Sequence, residues 1–69
     1  MIAVNKLRGV IAEKGYSQAE IAYKLGITPK TFYEKMKKGV FLSNEIEALI
    51  DILKLEKPFD IFFNGYVAR

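Results

Sequence analysis

Ser17-Gln18-Ala19-Glu20-Ile21-Ala22-Tyr23-Lys24-Leu25-Gly26-Ile27-Thr28-Pro29-Lys30-Thr31-Phe32-Tyr33-Glu34-Lys35-Met36-Lys37-Lys38 is the stretch from which the fold can be worked out. Ser17 followed three residues later by Glu20 is a capping box, whose two side chains satisfy N–H groups that a helix start leaves unpaired. A helix is therefore predicted from Gln18, with Ile21, Ala22 and Leu25 at helical spacing on its apolar side. Gly26 stands where that helix needs a left-handed C-terminal cap, a conformation glycine adopts without strain. Thr28-Pro29 restarts a helix, with Thr as N-cap and Pro at the first helical position, where its missing N–H is no loss. Only Gly26 and Ile27 separate the two helices, which forces a sharp corner.

This pattern resembles the lambda-repressor and Cro-like helix-turn-helix family. The residues that carry the likeness are Gln18 opening the first helix, Ala22 at the crossing, Gly26 in the turn, and apolar Ile21, Leu25, Ile27 and Phe32. A larger side chain at Ala22 would push the crossing helices apart. The likeness extends more loosely towards Phe63, through a helix after Phe41-Leu42-Ser43. One departure stands out: the family has an apolar residue three after Phe32, where this chain has Lys35, and Met36 is read as the core residue instead. The resemblance implies an all-α, compact, five-helix lambda-repressor-like domain over residues 1–69, with the helix-turn-helix at helices 2 and 3.

Working outward, a first helix is predicted from Ile2 to Lys14, with Val4, Leu7, Val10 and Ile11 inward and Asn5, Lys6, Arg8 and Glu13 outward. Gly15 ends it, and Tyr16 is placed as an apolar staple against Ile21. After Gly39, Val40-Phe41-Leu42 reads as a packed connection. Ser43 is the expected cap of a fourth helix, with Glu45 and Glu47 in its first turn and Ile46, Leu49, Ile50 and Leu53 as its stripe. Pro58 opens a short fifth helix, with Phe59, Phe62 and Phe63 expected inward against the fourth and Ile61 outward. Ile61, Tyr66 and Val67 would then form an apolar patch suited to a dimer interface.

Composition excludes several classes. The 69 residues contain no Cys and no His, which removes disulfides, the commonest metal ligands and the usual neutral-pH general base. No apolar run approaches the roughly 20 residues of a membrane span, so a soluble, cytoplasmic, nucleoid-associated protein without membrane partner, metal, cofactor or small-molecule substrate is expected. Ser17 and Ser43 sit at cap positions rather than in a nucleophilic constellation, and no catalytic residue is assigned. The net charge of +3 and pI near 9.3 are mildly basic, but unevenly spread. Residues 17–40 carry five lysines against two glutamates, a net +3, whereas residues 41–69 carry a net −2. A basic front and an acidic back would orient the chain toward a polyanion.

With Phe32 and Met36 inward, the opposite surface of the second corner helix shows Lys30, Tyr33, Glu34 and Lys37. Lys30 lies near the end that in helix-turn-helix proteins enters the major groove, where a lysine can donate to guanine O6 and N7. Tyr33 offers a ring to a thymine methyl or a hydroxyl to phosphate. Glu34 can accept from a cytosine amino group or pair with Lys30 one turn back. Thr28, Thr31 and Lys38 complete the candidate contacts, and the resemblance implies a phosphate contact for Gln18. Pro29 lacks the polar side chain with which the family often reads a base. The expected function is sequence-specific recognition of double-stranded DNA by a transcriptional regulator of the phage or prophage repressor or Cro type, acting as a homodimer through operator occupancy. The alternative is a protein-interaction module on the same fold, an antirepressor or antitoxin-like partner.

Overall fold

The computed structural model describes residues 2–62. The fold is all-helical, with α1 at Val4–Glu13, α2 at Gln18–Leu25, α3 at Pro29–Lys38, α4 at Ser43–Leu53 and α5 at Pro58–Phe62. The predicted order is thus present, with the first helix starting two residues later than expected. Ile2 stays outside α1 and is buried, and the Ala3 N–H donates to the Ile61 carbonyl at 2.7 Å, tying the start of the chain to α5.

One core serves all five helices. Leu7 and Ile11 from α1, Ile21 and Ala22 from α2, Phe32 and Met36 from α3, and Leu49 and Leu53 from α4 are buried. Each large apolar side chain so buried contributes about 1.5–3 kcal/mol. Phe32 meets Phe41 with ring centroids 5.7 Å apart and planes tilted by 53°, an arrangement aromatic pairs favour. Phe41 is thus buried while its neighbours Val40 and Leu42 are exposed, so only the middle residue of the expected packed connection is packed.

Helices α1 to α4 all end in the same way. In each, the residue after the left-handed position donates to a carbonyl five residues back: Tyr16 to Ile11, Ile27 to Ala22, Val40 to Lys35 and Leu55 to Ile50. Glycine holds the left-handed place in three of them; in α4 it is Lys54, at φ +52°.

Two expectations are corrected. The cap of α4 is Leu42, not Ser43; Ser43 is the first helical residue, and the Glu45 carboxylate reaches back to accept the Leu42 N–H at 2.8 Å. In α5, Ile61 and Phe62 are buried and Phe59 is 57% exposed, the reverse of what was expected for Ile61 and Phe59. The reason is tertiary: α5 packs on α1, and the Ala3–Ile61 bond fixes its rotation so that Ile61 turns inward. Ile61 is therefore covered within its own subunit and needs no second one for that. Tyr66, Val67 and Phe63 lie outside the described residues.

Candidate nucleic-acid interface

Local chemistry builds the corner as anticipated. Ser17 Oγ accepts the Glu20 N–H at 3.1 Å, and Glu20 Oε1 accepts the Ser17 N–H at 2.7 Å. Gly26 adopts φ +78°, and Thr28 Oγ1 accepts the Thr31 N–H at 3.1 Å to open α3. Ala22 is fully buried where α2 and α3 pack together. Tyr16 is half-buried against the core, and the Lys24 ammonium lies 5.6 Å from its ring centre, within cation–π range.

Burial of Phe32 and Met36 sets the rotation of α3, and Met36 rather than Lys35 is the core residue. Lys30, Glu34, Lys37 and Lys38 are all exposed on the far side, and Tyr33, 49% exposed, stands at one flank. Glu34 sits near the middle of this surface with lysines at i−4, i+3 and i+4, yet among the described residues it forms no ion pair within 4 Å. Its carboxylate and the three ammonium groups are therefore open to an outside partner. Gln18 is half-buried at the first position of α2.

Thr28 and Thr31 are less free than the other candidates. Their hydroxyls lie 2.9 Å apart, and Thr28 Oγ1 already accepts a backbone N–H. When the Thr28 hydroxyl donates to Thr31 Oγ1, the Thr31 proton is left to point outward. Thr28 is thus a cap, and Thr31 is the donor of the pair.

Sequence reasoning missed one connection behind this surface. Lys35, only partly exposed, places its ammonium 3.2 Å from the buried Glu45 carboxylate, the same oxygen that accepts the Leu42 N–H. This links the back of α3 to the start of α4 and accounts for a lysine at the place where the lambda-repressor and Cro-like family has an apolar residue. The signal was present in Lys35 itself: a cation on the inner flank of an amphipathic helix calls for an anion on the helix that covers it.

Residues 6–39, spanning most of α1 through the end of α3, match the family model described as bacterial regulatory protein, Fis family. No curated protein and no solved structure matches the chain. With the observed corner, this match makes residues 17–38 a helix-turn-helix of the kind carried by DNA-binding transcription regulators. The matched family is not the lambda-repressor and Cro group. No helix among the described residues is long and apolar enough to cross a membrane, and no group of acidic, Cys or His side chains among them is suited to hold a metal ion.

Proposed function

We propose that this chain is a sequence-specific regulator of the phage or prophage repressor or Cro kind, acting as a homodimer that occupies an operator in double-stranded DNA. The observation that carries the reading is the outer surface of α3, where Lys30, Glu34, Lys37 and Lys38 are exposed and form no ion pair among the described residues, behind a capped, buried corner. The proposed roles are base contacts for Lys30, Glu34 and Tyr33, and phosphate contacts for Gln18, Thr31, Lys37 and Lys38. A single recognition helix spans few base pairs, so discrimination calls for two half-sites and hence two subunits. The reading assigns no catalytic chemistry, no cofactor and no small-molecule substrate, and places the protein at the nucleoid.

Titration of a fluorescent random duplex at low salt tests it. Measurable affinity that falls steeply as salt rises is expected, followed by enrichment of a symmetric site from a random pool. Absence of binding at low salt would instead favour the protein-interaction module, which the apolar Pro29 at the head of α3 keeps in view.

A further inference from the structure

On a surface to which α2 and α3 contribute nothing lies a groove of about 730 Å³. Val10, Leu55 and Ile61 give it apolar lining, and α1 presents Lys6, Gly9 and Glu13 along it beside Val10. These four α1 residues fall at i, i+3, i+4 and i+7, one continuous stripe of the helix.

Three of them contradict what α1 itself would favour. Gly9 stands in the helix interior, where glycine is the least favourable residue after proline. Nothing among the described residues requires it: its φ is helical, and a Cβ built there meets no described atom within 4 Å. Lys6 lies in the first turn and Glu13 is the last helical residue, the reverse of the charge placement a helix dipole prefers. Neither has an ion-pair partner within 4 Å among the described residues. Local rules broken together on one exposed stripe point to a demand from outside the chain.

We infer that this groove is the two-fold interface with a second copy of the chain, formed by α1 packing antiparallel on its counterpart about an axis between Gly9 and Val10. This rests on the proposed homodimer and names its contact surface. In an antiparallel pair with that centre, Lys6 faces the partner's Glu13 and Glu13 faces the partner's Lys6. Val10 enters the space left by the partner's Gly9, and the reciprocal contact forms beside it. One symmetric arrangement thus gives a use to the glycine and to both misplaced charges. The rest of the rim carries both signs, so a strongly acidic or strongly basic partner would meet repulsion as well as attraction, whereas a second copy is complementary to it.

Charge exchange tests the pairing in the full chain by sedimentation equilibrium without DNA. The parent is expected to dimerise. Lys6→Glu or Glu13→Lys places like charges opposite each other twice per dimer and weakens association about tenfold or more, while the double exchange restores it. Each single change improves the fit to the dipole of α1, so helicity and melting temperature should hold or rise as the dimer is lost. Gly9→Gln, whose Cβ meets no described atom of its own subunit within 4 Å, should also give a monomer. A monomeric parent, single variants that stay dimeric, or a double variant that stays dissociated would each overturn the interface. The random-duplex titration is independent of this readout: a parent that dimerises through α1 but binds no DNA would sink the regulator and leave the interface standing.

Discussion

Gly26 and Lys54 hold the same left-handed backbone conformation, at φ +78° and +52°, but only glycine adopts it without strain. A Cβ at Gly26 would meet no described atom within 4 Å, so the constraint among the described residues is conformational and not spatial. An L residue there costs about 1–2 kcal/mol, and a β-branched one more. Gly26→Val is therefore predicted to destabilise the domain by about 2 kcal/mol or more, and Gly26→Asn by distinctly less. Equal melting temperatures for the two variants would mean that the turn is built differently. Lys54→Gly carries the opposite sign: relief of the strain should stabilise by about 1 kcal/mol. For a domain of this size that is a rise of about 4–8 °C in Tm. A fall would show that the Lys54 side chain contributes more than its backbone strain removes. Lys30 tests recognition at the same scale. Lys30→Ala is expected to lower affinity for the preferred site by about 1–3 kcal/mol and to relax the preference at one base position. An equal loss on every sequence would make Lys30 a phosphate contact.

Between elements, the contact to probe is the one joining α3 to α4. Lys35→Met alone strands the buried Glu45 carboxylate and should cost about 1–3 kcal/mol. Adding Glu45→Gln keeps an acceptor for the Leu42 N–H and removes the stranded charge, so the double variant should melt close to the parent. Additive losses in a denaturant cycle would mean that the two residues do not act as a pair. This pair also marks where the sequence stops being readable. Both ends of α2 and the start of α3 are set by residues within four positions, the side chains of Ser17, Glu20 and Thr28 and the left-handed backbone of Gly26, so they are legible from spacing alone. The exposure of Lys30, Tyr33, Glu34, Lys37 and Lys38 follows from Phe32 and Met36 facing inward. The start of α4 and the rotation of α5 are set by distant partners. Phe41 must reach Phe32, and Ala3 at the far end of the chain bonds Ile61. Neither partner announces itself in the local pattern, so Ser43 looks like a better cap than Leu42, and Ile61 looks exposed.

For the molecule as a whole the question is whether DNA binding depends on total charge or on where the charge lies. Net charge is +3, too small for non-specific attraction alone to explain tight binding. Of the five lysines in residues 17–40, Lys35 is engaged by Glu45, which leaves Lys37 and Lys38 as the exposed cations at the end of α3. Lys54 and Lys57 are also exposed but line the groove with α1, which no helix-turn-helix residue lines. Replacing either pair by glutamine removes two charges, so the two double variants have the same formal net charge of +1. Lys37→Gln with Lys38→Gln should weaken binding to every duplex by about tenfold or more at low salt. It should also reduce the dependence of log K on log salt by about 2, one for each lost phosphate contact. Both residues line the groove inferred to be the dimer interface, so this variant is read at a protein concentration where sedimentation shows it dimeric. There Lys54→Gln with Lys57→Gln should leave that slope within error of the parent, because those positions meet no phosphate. Parallel titrations across a salt series read both quantities. Equal loss in the two variants would mean that the chain is attracted as a diffuse cation, and α3 would lose its claim to be the DNA-facing surface.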